Sequence, residues 1–271
     1  ICFAPTMTIE TPSSARLADA LSDLRAARPL VHCLTNEVVQ EITANVLLAA
    51  GASPAMVVAE EESGTFARIA GGILVNMGTP FPERLRAMRK AVEGAREAGR
   101  PWVLDPVAAG GIPWRDGVIR EFVELKPTVI RGNASEILAL AGAGTGGKGV
   151  DSTADSSDAL EAARALAART GGVVAVTGAV DYVTDGTRTF AISGGDPMAT
   201  LVVGTGCSLS ALVAAFCAAH PNALEAAAAA CALAKRAAEV ARRKADAPGS
   251  FHVAYIDALY TIRPEELSAG A

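Results

Sequence analysis

Aromatic side chains are scarce in this chain of 271 residues, which carries seven Phe, three Tyr and two Trp. A β sandwich filled by aromatic inner faces is excluded on that supply. Histidine is rarer still. His32, His220 and His252 stand alone in the sequence, so no His-based metal cluster is visible. The five cysteines (Cys2, Cys33, Cys207, Cys217 and Cys231) are odd in number and form no Cys-x-x-Cys pair. That excludes a zinc ribbon and a disulfide framework, and it points to a reducing, cytoplasmic setting. Basic residues are scattered under a net charge of −5, and the densest cluster is only Arg242-Arg243-Lys244. It falls at an expected helix C-terminus, where cations complement the dipole, so no nucleic-acid footprint is read from it. Long apolar runs are absent too. Those near Leu209–Ala219 and Ala226–Ala234 are broken by Ser210, His220 and Glu225, short of the ~20 residues that cross a bilayer. The first residues lack the positive start and apolar core of a signal peptide. Residues 1–6 are read as a non-native remnant or the stretch ahead of an alternative start at Met7, and residues 7–271 as a single domain.

What is present is an alternation of short apolar runs and helical patterns. Strands are expected at Leu30–Leu34, Ala55–Val58, Ile73–Asn76, Trp102–Asp105, Thr128–Arg131 and Val173–Thr177. Continuous apolar strands of this length belong to a parallel sheet covered on both faces. Val38, Val39, Ile42, Val46 and Leu47 share one helical face, as do Leu85, Met88, Val92 and Ala95. Helical patterns at Ser135–Leu140, Ala159–Ala168, Ser208–Ala219 and Ala223–Lys244 complete the set. The rhythm is that of an α/β fold with right-handed crossovers. Tyr182–Thr184, Asp185-Gly186 and Arg188–Ile192 break it as a β-hairpin, expected antiparallel at the sheet edge.

Gly142–Gly149 nearly spells a phosphate-binding P-loop. The position after Lys148 is Gly149, where that motif needs Ser or Thr for magnesium, and the segment follows a helical pattern instead of a strand. Ala141–Ser157 is read as a mobile loop.

Five segments carry residue types suited to chemistry. Gly204-Thr205-Gly206-Cys207 runs straight into an apolar helix. Its glycines allow close backbone approach, and the free amides of Thr205 and Gly206 with the helix dipole suit a phosphate. Cys207 in the first turn gains thiolate character from that dipole. A tight bend with a small buried cysteine fits the same spacing. Asp105 ends an apolar strand, where ligands of open α/β sheets gather, and can hold magnesium or cap a turn. Arg131 can pair with phosphate oxygens. Glu136 can join Asp105 around a cation, or close a capping box with Asn133. Thr177 ends a further strand, at a position suited to a nucleotide phosphate or ribose. Asn36 and Met56 offer an amide and a thioether to a substrate pocket, although Met is more often core filling.

Taken together and in this order, Val31–Asn36, Gly51–Met56, Trp102–Val107, Arg131–Glu136, Val176–Gly178, Asp181–Gly186, Gly194–Pro197 and Val203–Cys207 resemble the hydroxyethylthiazole kinase family. That family is a branch of the ribokinase-like group. The resemblance spans roughly Ala15 to Lys244. It implies a central, mostly parallel sheet with helices on both faces, and transfer of the ATP γ-phosphoryl group to 4-methyl-5-(2-hydroxyethyl)thiazole with Mg2+. By the same resemblance Met56, Gly204 and Asn36 meet the thiazole, Arg131 and Thr177 meet ATP, and Asp105 and Glu136 organise the metal. Cys207 takes the place of the aspartate base of most ribokinase-like enzymes. Relatives acting on hydroxymethylpyrimidine or pyridoxal generally keep that aspartate, so the cysteine separates them. A non-catalytic sensor would need neither metal site nor base. The resemblance also implies a homotrimer with active sites between subunits. A dinucleotide-dependent oxidoreductase is excluded, because no glycine fingerprint follows Leu34.

Overall fold

The computed structural model describes residues 8–142 and 155–270. In chain order the elements are β1 (Ile9–Glu10), α1 (Ser14–Ala27), β2 (Leu30–Leu34), α2 (Gln40–Ala50), β3 (Ser53–Ala55), α3 (Glu60–Ile69), β4 (Gly72–Asn76) and α4 (Pro82–Glu97). There follow β5 (Trp102–Asp105), α5 (Pro113–Glu124), β6 (Val129–Asn133), α6 (Ala134–Ala141), α7 (Leu160–Thr170), β7 (Val173–Thr177), β8 (Asp181–Thr184) and β9 (Thr189–Ile192). The C-terminal layer is α8 (Thr205–Ala219), α9 (Ala223–Arg242) and α10 (Pro248–Thr261).

The strands form one sheet in the order β1-β9-β8-β7-β6-β5-β4-β2-β3. All neighbouring pairs are parallel except β7–β8 and β8–β9. The parallel strands are apolar on both sides because both sides are covered. One core layer, with Val31, Cys33, Leu74 and Val103, lies under α1, α2, α8, α9 and α10. The other, with Leu34, Ile73, Val75 and Leu104, lies under α4, α5, α6 and α7. The chain steps outward from β2 to β3, then back across β2 to β4. This reversal places a crevice beyond the C-terminal ends of β2 and β4, where open α/β sheets bind ligands.

Strands β2, β5 and β7 coincide with expectation. β3 is shorter and earlier than expected, because the chain leaves the sheet after Ala55. The buried His32 ring bonds the Val57 carbonyl there through Nε2 at 2.6 Å, which pins the departing segment. Met56 therefore lies just past a strand, not inside one. Val38 does not share the buried face of α2. It sits in a 3-10 turn, Glu37–Val39, ahead of the helix and is 69% exposed. The hairpin is antiparallel as expected, but the two-residue β1 pairs outside β9, so the hairpin is not the outermost element. Its turn spans Asp185–Arg188, with the Asp185 carboxylate accepting from the amides of Thr187 and Arg188. The expected helix set was incomplete, since α1, α3, α5 and α10 add to it. The near P-loop and most of the Ala141–Ser157 loop lie outside the described residues, apart from Gly142, which caps α6 with φ at 77°.

Candidate active site

Five parallel strands supply the site at one edge of the sheet. Asn36 follows β2, Asn76 ends β4, Asp105 ends β5, and Thr177 ends β7, while Arg131 lies on β6. Above this edge α8 begins. Gly204 caps it with φ at 90°, a left-handed conformation that favours glycine. A Cβ at Gly204 would also fall 2.5 Å from Ile42 Cγ2 and 3.0 Å from Val39 Cγ1. The first helical bond runs from Ser208 N–H to Gly204 O. The amides of Thr205, Gly206 and Cys207 precede it and face out of the helix end. The Thr205 hydroxyl turns away and donates to Ala199 O and Val202 O, so this residue offers its amide alone. A Cβ at Gly206 would lie 3.1 Å from Arg131 Nη1, so its absence lets the guanidinium rest against the helix start.

A chain of hydrogen bonds crosses the crevice. Asn36 Nδ2 donates to Asn76 Oδ1 at 2.9 Å and to Cys207 Sγ at 3.5 Å. Asn76 Nδ2 donates to Asp105 Oδ2 at 2.7 Å, and Ser210 Oγ donates to the same oxygen at 2.8 Å. Glu136 closes the capping box of α6. It accepts from the amides of Ala108 and Asn133, while Asn133 Oδ1 accepts from the Glu136 amide. Cap and acidic site residue are thus one group, as the sequence allowed. Arg131 Nη2 donates to Thr177 Oγ1, and its Nε is buried without a partner.

Electrostatics follow from burial. Asp105 is 1% exposed, and desolvation pushes its carboxyl up to about 7 against the pull of Arg131; Glu136 adds to the rise. Burial also raises Glu136, opposed by the Asn133 and Ala108 amides and Arg131. Cys207 departs from expectation. Burial and then the Asp105 charge push its thiol up to about 11, outweighing Asn76, Arg131 and Asn36, which pull the other way. At neutral pH it is a thiol, so the expected thiolate character is corrected: helix-end dipoles do not overcome desolvation here.

The structure therefore brings together Asn36, Asp105, Cys207, Gly204, Thr205 and Gly206, with Arg131, Thr177 and Glu136 alongside. Met56 follows β3, the edge strand beside β2, half-buried against the layer that holds α2 and α8, with no hydrogen bond to the network. Three participants were not singled out from sequence. Asn76 ends its strand as Asp105 does. Ser210 is a hydroxyl inside an apolar helix, one turn past Cys207. Lys235 of α9 bonds the carbonyls of Gly178, Ala179 and Gly194 and pairs with buried Asp181 at 3.2 Å, tying down the turn after Thr177.

The profile described as the hydroxyethylthiazole kinase family matches residues 21–265. The chain belongs to the hydroxyethylthiazole kinase family. A Serratia proteamaculans (strain 568) protein named hydroxyethylthiazole kinase is 54% identical over 93% of this chain and 96% of its own length. A solved hydroxyethylthiazole kinase protein from Pyrococcus horikoshii OT3 is 42% identical, with a TM-score of 0.84 over 91% of this chain and 93% of that one. A ribokinase-like superfamily protein from Enterococcus faecalis V583, 14% identical, superposes with a TM-score of 0.66 over 96% of this chain and 97% of that one. That last likeness speaks to the fold alone, and the sheet is ribokinase-like as expected. No helix among the described residues is long and apolar enough to cross a membrane.

Proposed function

We propose that this member of the hydroxyethylthiazole kinase family transfers the ATP γ-phosphoryl group to the hydroxyl of 4-methyl-5-(2-hydroxyethyl)thiazole. The observation that carries the reading is the start of α8, where three free amides, Arg131 and Cys207 converge beside the buried Asp105. Phosphoryl transfer passes through a loose transition state and rests on positioning and charge stabilisation. The Thr205, Gly206 and Cys207 amides are preorganised donors for the equatorial phosphoryl oxygens. Arg131 neutralises the polyphosphate and is steered by Thr177, which also meets ATP. Its unpartnered Nε is a donor in need of an acceptor.

The donor set fits magnesium. No group of three or more His, Cys, Asp or Glu converges among the described residues. Mg2+ however keeps several waters and binds through one or two carboxylates plus substrate phosphates. Asp105 leaves Oδ1 open to it. Glu136, with both oxygens already bonded to amides, acts through water. When bound, the ion supplies charge for the β- and γ-phosphate oxygens.

Asn36, Met56 and Gly204 hold the thiazole. Cys207 orients the acceptor hydroxyl, a part that a thiol can play, and the proton leaves late in a loose transition state. A reducing cytoplasm suits a free thiol at this point. Exposed Val38 and Val203 flank Asn36 and Gly204, and they support cover by another copy. In the proposed homotrimer, Met56 of one subunit completes the site of its neighbour.

A coupled ADP-release assay against thiazole, pyrimidine and pyridoxal alcohols tests the reading. Turnover is expected with the thiazole alcohol, and a preference for either other class refutes it. Single-turnover rates at saturating substrates test Cys207. Cys207→Ala is expected to be at least about tenfold slower, and an unchanged rate removes its assigned part.

A further inference from the structure

Asn76 is 1% exposed and bonded through both Oδ1 and Nδ2 at the centre of the site. Its orientation has one solution. The Gly78 N–H, which can only donate, points at Asn76 Oδ1 from 2.9 Å. Asn76 Nδ2 therefore faces Asp105, and Oδ1 has one lone pair left for Asn36 Nδ2. Asn36 is held in the same way. Its Oδ1 accepts from the Val38 N–H at 3.1 Å, which commits Nδ2 to the crevice side. One Nδ2 hydrogen goes to Asn76 and the other to Cys207 Sγ. Gly78 closes the remaining side: a Cβ there would fall 2.5 Å from Asn36 Cβ and 2.6 Å from its Cγ and Nδ2. The Asn36 amide is thus clamped by one backbone donor, two side-chain acceptors and a glycine wall.

We propose that Asn76 is a positioning residue for phosphoryl transfer: it holds the Asn36 carboxamide so that one N–H meets Cys207 Sγ, which leaves the thiol hydrogen and a second lone pair free for the acceptor hydroxyl. The Asn36 donor sets the sulfur's rotational state, and Asn76 sets the donor. Because Asn76 also bonds Asp105, the hydroxyl-binding and metal-binding halves of the site share one rigid link. This inference rests on the assignment of Cys207 above.

The test is a pair of double-mutant cycles read as kcat and KM. Asn76→Ala removes the acceptor for Asn36. Gly78→Ala pushes on Asn36 from the other side, touches neither Asp105 nor α8, and sits at a half-buried loop position with ordinary φ. Each is expected to lower kcat about tenfold, the scale of one hydrogen bond, with the KM for ATP within about twofold of the parent. In a Cys207→Ala background Gly78→Ala should not lower kcat further, since it acts through that sulfur, whereas Asn76→Ala keeps the part of its cost that runs through Asp105. A Gly78→Ala cost that multiplies in full onto a slow Cys207→Ala enzyme would falsify the positioning role while leaving Cys207 in place. Parental kcat in both single variants also overturns it. Parental kcat in Cys207→Ala itself brings down the assignment of Cys207 and this inference together. Thermal melts accompany the kinetics, and Gly78→Ala carries the test alone if Asn76→Ala does not fold.

Discussion

Asp105 shows how a site residue can work against the fold that holds it. Its carboxyl lies near 7 in the folded chain against an ordinary 3.8, because burial disfavours the charge more than its bonds and Arg131 favour it. Between those two values the folded state binds more protons than the unfolded one, so stability falls as pH rises through the window. Above about 7 the cost is fully present; below about 4 it is gone. Asp105→Asn keeps an acceptor for Asn76 and Ser210 and removes the charge. The variant is expected to melt higher than the parent near pH 8, with the gain fading toward pH 4, and to lose turnover. Melting curves across that range check the sign. Arg131→Ala should chiefly raise the KM for ATP, seen in initial-rate titrations, since its guanidinium lies against the α8 start and Thr177. Asp105, Thr177 and Cys207 were legible in the sequence because each ends a strand or opens a helix, and Arg131 because it leads the Gly132–Glu136 capping segment after an apolar run. Asn76 and Ser210 were not, since an Asn in a strand-end row and a Ser in an apolar helix each pass for ordinary until a partner is visible.

Helix α8 is the element on which the site depends. It is buried from Ser208 to Phe216 because it packs across β2, β4 and β5 beneath α9. Its N-terminus can come so close to α2 only with glycine at 204. Gly204→Ala must place a Cβ in a left-handed conformation and against Ile42 Cγ2. The expected cost is roughly 1–3 kcal/mol of stability with loss of turnover, read from a denaturant midpoint and kcat. Among the other elements, α1 and α10 were legible but missed. Leu17, Ala20, Leu21 and Leu24, and Phe251, Ala254, Tyr255, Ala258 and Leu259, recur at helical spacing and are buried. α3 was harder to see, with only Ser63 and Ala67 buried behind three leading glutamates.

At the scale of the whole molecule, one sheet joins residues from Ile9 to Ile192, and both core layers draw on its central strands. We expect the chain to behave as a single domain and to unfold in one cooperative transition by calorimetry; two separated transitions would contradict it. The place of Met56 after the edge strand β3 leads to a second expectation. Cys207→Ala and Met56→Asp, each slowed alone, should regain activity when co-expressed, because some sites then combine an intact Met56 with an intact Cys207 of a neighbour. A mixture no more active than its components would show that each subunit works with its own residues only.

Sequence alone carried the parallel sheet, the gathering of candidate residues at one strand-end edge and the resemblance to the family, because apolar run length, turn residues and eight ordered motifs are local and additive. It determined equally that a glycine-rich turn opens α8. Only the tertiary structure decided what that turn does to Cys207. The helix dipole is written locally, but the burial of the first turn of α8 against the sheet and the nearness of Asp105 come from elements about a hundred residues away, and they hold the sulfur as a thiol. The same holds for Asn76, whose part exists only where β2, β4, β5 and α8 meet.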